Sequence, residues 1–462
     1  MIKHLLYLLC LIPQSLFAQQ MEYTLVVTIK QDSTLNTPYF SYNNLASYTK
    51  PDSMVQAEGK LTCYFKPSYS VPMTGRLVYS DQGEHFFILF PPKSKSMAVA
   101  DVKANTVTYT GGFSAVNQWM AENLYRDFWE DHSGEATDPK AVMARERKKT
   151  EHSWAGQGTG TSEEIQRLVN TAIEVRYARA LVEASKTNIL PLAELGNSQL
   201  FDSLSQLPLW NSPYLWSAPL AYDLMEDLLL LGSEEEWAHP VDLMRFAMDY
   251  IDPVVAESFL APKLDVATHM NREVDHPELL HLYLVFAERY PHNPRLATIR
   301  EQTMPLINYA RSKAEPFRTA VVHWQDSTAT KLAQILEHHR GKVIYVDFWG
   351  TWCHPCLQEM KTAMKPEYRG FPDHPDLVNL YIAHEKKTSL EQIEKVIAAY
   401  QLSGEHYLKR LTNRPIWPDF EDLPGFPTYL IVDRDGTILS ESVPRPSDEA
   451  ALHATLMKYL DR

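Results

Sequence analysis

Val343-Ile-Tyr-Val-Asp-Phe-Trp-Gly-Thr-Trp-Cys-His-Pro-Cys356 decides how the rest of the chain is read. From Val343 to Trp349 the residues are β-branched or aromatic with one exception, the pattern of a strand covered on both faces. The exception is Asp347, a carboxylate where an apolar side chain is expected. Cys353 and Cys356 follow in C-x-x-C spacing, where the strand formers give way to a predicted helix running through Met364.

A C-x-x-C pair serves either a metal or a redox reaction. A structural zinc site needs four ligands, usually with a second pair at fixed spacing. Residues 319–462 hold no second C-x-x-C and no H-x(3–5)-H. His354, an immediate neighbour of Cys353, is badly placed to complete a chelate, and haem attachment fails because Leu357 follows Cys356. The redox reading leads, and no metal or cofactor is expected.

A helix N-terminus carries partial positive charge and unpaired N–H groups, which favour thiolate over thiol at Cys353. Cys353 is therefore expected to be the exposed attacking sulfur, and Cys356, facing inward, to resolve a mixed disulfide. Pro355 suits the first helical turn because the N–H it lacks would be unpaired there anyway. Asp347, beneath the pair, is the candidate proton acceptor for Cys356.

Outward from this stretch, residues 319–462 alternate strand and helix, the signature of an α/β layer. The predicted elements are an edge strand over 319–324, a helix over 331–339, a strand over 377–383 and a helix over 390–400. A hairpin turns at Asp435-Gly436, and a helix over 447–460 closes the chain. Residues 113–318 read as all-α. The clearest helix starts at Thr161, with Glu164 completing a capping box, and Ser153 to Gly160 reads as a loop. Other candidate helices cover 117–131, 219–231, 277–290 and 296–310. His269, His276 and His281, with Asp275 and Glu278, read as surface or helix-end residues rather than metal ligands. The Trp210–Leu231 stripe reads as core. Residues 19–112 form a β-rich domain of short strands, read as a small antiparallel sheet or sandwich.

Residues 1–18 read as an export signal: Lys3 and His4, then apolar Leu5 to Phe17, too short to span a bilayer, then Ala18. Cys10 falls inside it. Of the four cysteines, Cys63, Cys353 and Cys356 remain, too few for a disulfide-stapled scaffold. Cys63 reads as an inert buried thiol in a strand. The net charge of -14 argues against nucleic acid, which demands clustered Lys and Arg. Hydrophobic residues at 45% and charged residues at 22% suit ordinary globular packing.

Val346-Asp-Phe-Trp-Gly-Thr-Trp-Cys-His-Pro-Cys356 resembles the active-site signature of the thioredoxin superfamily, V-D-F-W-A-x-W-C-G-P-C. Gly425-Phe-Pro-Thr428 resembles that family's cis-proline loop. Glu359 and Met360, with the export signal, resemble the TlpA/ResA-like envelope thiol-disulfide oxidoreductases. The resemblance implies a thioredoxin-like fold for 319–462, with Cys353 as nucleophile, Cys356 as resolving thiol and Asp347 as buried acid. It also implies a substrate ledge made of Trp352, Pro427 in a cis peptide, and the backbone of Phe426.

Two positions depart from the pattern. His354 replaces the common glycine; a protonated imidazole there would stabilise the Cys353 thiolate and make the disulfide more oxidising. Lys361 stands where the family often has a helix-kinking proline. The expected protein is multidomain, exported to a bacterial periplasm or cell envelope, and soluble or peripherally attached. It exchanges its dithiol with protein disulfides, supplied by a redox partner protein. Reductase is the leading direction; isomerase, oxidase or a metal-binding chaperone using the C-x-x-C are the rivals.

Overall fold

The computed structural model describes residues 25–462 apart from 31–38, 43–47, 50–52, 58–59, 66–72, 81–82, 90–95, 102–105, 112, 125–138, 158–160, 187–196, 219, 232, 234, 236–237, 271–273, 318, 325–331, 386, 411–424 and 440–442. The expected export signal at 1–18, with Cys10, lies outside the described residues. Contacts divide the chain into two units, residues 1–263 and 264–462.

Among the described residues, the first unit opens with nine strands: β1 (Leu25–Lys30), β2 (Tyr39–Tyr42), β3 (Tyr48–Thr49), β4 (Ser53–Ala57), β5 (Lys60–Phe65), β6 (Met73–Ser80), β7 (Gly83–Leu89), β8 (Ser96–Asp101) and β9 (Thr106–Gly111). They form a five-stranded sheet, β4-β5-β1-β8-β9, and a four-stranded sheet, β3-β2-β6-β7. β1 and β8 run parallel, so the first sheet is mixed rather than wholly antiparallel. Strands β2 to β7 separate that pair in sequence, giving the long crossover that parallel pairing requires. Cys63 pairs with Val27 and Met54 in register; its side chain lies outside those described.

Helices follow: α1 (Ser114–Asn123), α2 (Pro139–Gln157), α3 (Glu163–Lys186), α4 (Asn197–Ser205), α5 (Ala221–Leu229), α6 (Pro240–Tyr250) and α7 (Pro253–Met270), whose residues from Leu264 onward belong to the second unit. Part of the helix predicted over 117–131 lies outside the described residues. Ser153 to Gln157 are helical, not loop, because Trp154 is buried and its indole donates to Gln166 Oε1 at 2.8 Å. α3 starts two residues after Thr161. The Ser162 hydroxyl accepts the Ile165 N–H at 3.4 Å, a weak cap displaced by one from the predicted box. Trp210 and Trp216 are buried, each donating its indole N–H to a backbone carbonyl.

In the second unit, α8 (Pro277–Arg289) and α9 (Leu296–Ser312) precede β10 (Ala320–Val322), α10 (Leu332–His338), β11 (Val343–Trp349), α11 (His354–Ala363), β12 (Leu377–Glu385), α12 (Leu390–Tyr400), β13 (Gly404–Arg410), β14 (Thr428–Val432), β15 (Ile438–Leu439) and α13 (Glu449–Leu460). The sheet order is β10-β13-β12-β11-β14-β15. β11 lies between parallel β12 and antiparallel β14, and all seven of its residues are buried. Strand β13, between parallel neighbours, was not foreseen, because Gly404-Glu-His-Tyr-Leu-Lys-Arg410 carries charges within a strand.

The pleat of β11 sorts its side chains. Ile344, Val346 and Phe348 join the core beneath α10, with Leu332, Ile335 and Leu336. On the other face, Val343 and Tyr345 pack with Leu452, Leu456 and Leu460 of α13, and Trp349 packs with Cys353, Cys356, Leu357 and Met360. Asp347 sits on this second face, between those two apolar groups.

Helices α8 and α9 belong to this unit. Tyr309 and Phe317 pack against the core that holds the cysteines. The Asn308 amide donates to the Ala399 carbonyl in the last turn of α12 at 3.1 Å, satisfying a carbonyl with no partner inside its own helix.

Candidate active site

β11 delivers the chain to Gly350, and α11 starts three residues after Thr351. Cys353 is the N-cap of α11, and its sulfur accepts the Cys356 N–H at 3.2 Å. The two cysteines are joined in a disulfide with a Cα–Cα distance of 5.3 Å. Cys353 is only 3% exposed and Cys356 1%, so the open attacking sulfur expected from the sequence is not seen in the disulfide form. Trp349, Leu357 and Met360 close the apolar surroundings of the pair. Pro355 stands in the first turn of α11, as its missing N–H allows.

Asp347 is 4% exposed, and one of its carboxylate oxygens, Oδ1, is buried with no hydrogen-bond partner among the described residues. Desolvation, with the Glu359 carboxylate adding to it, pushes its pKa up to about 8. That value suits a group that takes and returns a proton near neutral pH. Glu359 itself accepts from the Ser447 N–H at 2.7 Å and the Ser447 hydroxyl at 2.9 Å.

Beside the disulfide, the Trp352 ring is 45% exposed and its indole N–H donates to the His384 carbonyl at 2.9 Å. Phe426 stands edge-on to it with ring centres 5.1 Å apart, and the Phe426–Pro427 peptide is cis. Gly350 leaves room for this arrangement: a Cβ there would lie 2.5 Å from Trp352 Nε1 and 3.0 Å from the His384 carbonyl oxygen. The structure thus gathers Trp352, Phe426 and Pro427 on one side of the dithiol.

Two groups at this site were not singled out in the sequence. His384 is buried against Phe426, and desolvation, with Lys409 nearby, pushes its pKa down to about 4. Glu385, fully buried, accepts the Thr351 N–H at 2.5 Å and the Thr388 hydroxyl at 2.7 Å, pinning the loop that carries Trp352. An alternating strand end, His384-Glu385, was the available signal. His269, read from the sequence as a surface or helix-end residue, is exposed in the last turn of α7, and its ring stands edge-on to His354, centres 5.6 Å apart. His276 also sits at a helix end, where its Nδ1 accepts the Leu279 N–H at 3.2 Å.

His354 also places Nε2 3.3 Å from the Gln358 side-chain amide. Lys361 is buried, 7% exposed; desolvation lowers its pKa, and the Glu301 carboxylate of α9 opposes that. Among the described residues, no group of three His, Cys, Asp or Glu side chains is placed to hold a metal ion, and no helix is long and apolar enough to cross a membrane.

No protein-family model matches the chain. Its sequence is similar to the thiol-disulfide oxidoreductase ResA of Geobacillus kaustophilus, 29% identical over 111 residues, which is 22% of this chain and 55% of that protein. It is also similar to the thioredoxin-like protein YneN of Bacillus subtilis, 31% identical over 104 residues, 22% of this chain and 57% of that protein. The chain thus spans about half the length of the curated relatives it matches. Among solved structures, the thioredoxin domain of a thiol-disulfide oxidoreductase from Bacteroides vulgatus aligns at 24% identity with a TM-score of 0.20, covering 27% of this chain and 84% of that one. The C-terminal part of the chain carries a ResA-like thiol-disulfide oxidoreductase domain and belongs to the thioredoxin superfamily.

Proposed function

We propose that the whole protein is an exported thiol-disulfide oxidoreductase that reduces protein disulfides. The observation that carries this reading is the Cys353–Cys356 disulfide at the N-cap of α11, with the buried Asp347 on the same side of the sheet. In the reduced form, Cys353 thiolate attacks one sulfur of a client disulfide and expels the other as thiolate. The Cys356 thiol gives its proton to Asp347 and attacks the Cys353 sulfur. That closes the Cys353–Cys356 disulfide and releases the second client sulfur, so the client gains two electrons and this dithiol loses them. A redox partner protein restores the dithiol.

In this reading Trp352, Phe426 and Pro427 form the ledge on which an extended client segment lies, and His354 with Pro355 tunes the thiolate. The layout is an export signal over 1–18, a β-rich domain over 19–112, an all-α region over 113–318 and the thioredoxin-like domain over 319–462. The site of action is the bacterial periplasm or envelope. Export is supported by the sequence of residues 1–18, and the reductase direction by the likeness to ResA.

Insulin reduction with dithiothreitol as donor tests the chemistry: Cys353→Ser is expected to abolish it, and undiminished turnover would sink the mechanism. The midpoint potential of the Cys353–Cys356 pair separates reductase from isomerase or oxidase.

A further inference from the structure

Asp347 is flanked by tyrosines across both neighbouring strands. Its register partner in β12 is Tyr381 and its partner in β14 is Tyr429. Tyr345, two residues earlier on the same face of β11, stacks on Tyr429 with ring centres 5.5 Å apart. Beyond Tyr345 lies Phe371, 5.2 Å away, and against Phe371 stands Tyr368, 5.7 Å away. Tyr345 and Tyr429 are buried, and Tyr368 is half-buried.

A buried tyrosine hydroxyl normally finds a hydrogen-bond partner. Here Asp347 Oδ1 and the hydroxyls of Tyr345, Tyr368 and Tyr429 are all buried without one among the described residues. Three such hydroxyls and one carboxylate oxygen make a polar interior, the surroundings in which ordered water is held by several polar groups at once.

Glu359 of α11 acts on Asp347, Tyr368 and Tyr429, Glu449 of α13 on Tyr368, and Arg445 on Tyr429. Glu359 is half-buried and reaches the surface at Ser447. Asp347 itself has almost no contact with solvent, yet as proton acceptor for Cys356 it must lose its proton once per turnover.

We propose that the hydroxyls of Tyr429, Tyr345 and Tyr368, bridged by ordered water, relay the Asp347 proton to Glu359 and on to solvent. This rests on the reading of Asp347 as the proton acceptor. Each hydroxyl accepts one proton and gives up another, so one proton leaves Asp347, one reaches Glu359 or water, and every tyrosine ends as it began. Burial raises the pKa of all three tyrosines; the Asp347 carboxylate adds to this at Tyr345 and Tyr429, and Glu359 at Tyr368 and Tyr429, so a stored tyrosinate is disfavoured.

The test uses the full chain in single-turnover reduction of insulin, following release of the second client thiol against pH, in water and in deuterium oxide. Tyr429→Phe and Tyr345→Phe are expected to slow that step roughly 10-fold between pH 6 and 8, about a decade less than loss of a direct general base. They should leave the first attack, trapped in a Cys356→Ser background, at its original rate. Tyr368→Phe, at the half-exposed edge, supplies a smaller loss in the same direction without disturbing the interior. Asp347→Asn is run in parallel. If Asp347→Asn removes the pH dependence while all three Phe variants keep the original profile and isotope effect, the relay is wrong and the acceptor reading stands. If Asp347→Asn leaves the profile intact, the acceptor reading fails and the relay fails with it.

Discussion

The imidazole of His269, in the last turn of α7, stands edge-on to that of His354, with an interplanar angle of 71°. His354 is the first residue of α11 and lies between the two cysteines. Two imidazoles therefore meet beside the dithiol, one of them supplied from far upstream in the chain.

Either imidazole, when charged, stabilises a nearby thiolate and so the reduced form. His269→Ala is expected to lower the midpoint potential of the Cys353–Cys356 pair by about 10–30 mV, and His354→Gly by more. Redox titration against glutathione checks this. An unchanged potential in His269→Ala would show that the contact has no bearing on the dithiol.

Asp347 makes stability depend on pH with a definite sign. Its folded-state pKa, about 8, lies above the ordinary 3.8, so the folded state holds the proton more tightly. The contribution is full below about pH 4 and is lost as pH rises through about 8. Asp347→Asn should remove this slope. In urea denaturation the variant should match the parent at pH 4 and exceed it by a few kcal/mol at pH 9, since each tenfold change in proton affinity is worth about 1.4 kcal/mol.

Gly350→Ala would bring a methyl group against the Trp352 indole, 2.5 Å from Nε1. The indole is expected to leave the His384 carbonyl, seen as a shift of the Trp352 indole N–H resonance. Client reduction should fall about 10-fold in kcat/KM, because the ledge beside Cys353 moves. A normal resonance with normal turnover would show that the site adapts.

Asn308→Ala would leave the Ala399 carbonyl unpaired in a buried position and should cost about 1–3 kcal/mol in chemical denaturation. A fragment starting at 319 loses Asn308, Tyr309 and Phe317 together. It should melt well below a fragment starting at 264, and equal melting temperatures would place α8 and α9 outside the folding unit.

The sequence by itself determined the redox stretch. Strand periodicity, C-x-x-C spacing and an aspartate in an apolar run are local features, and the strand, the N-cap cysteine and the buried acid follow from them within a few residues. The hairpin at Asp435-Gly436 was equally local, since a turn needs only its own residues. Even the Phe426–Pro427 loop was legible, because its motif is short. What stayed hidden was contact between distant segments. Nothing in the spacing of His269, Asn308 or Glu385 says which surface each will meet, so a helix-end histidine, a helical asparagine and a strand-end acid looked ordinary. The same holds for the tyrosines. Tyr345, Tyr381 and Tyr429 read as three unremarked strand aromatics until parallel and antiparallel registers set two of them on either side of Asp347 and stacked the third against its neighbour. Periodicity assigns a side chain to a face; only the pairing of strands decides which side chains share it.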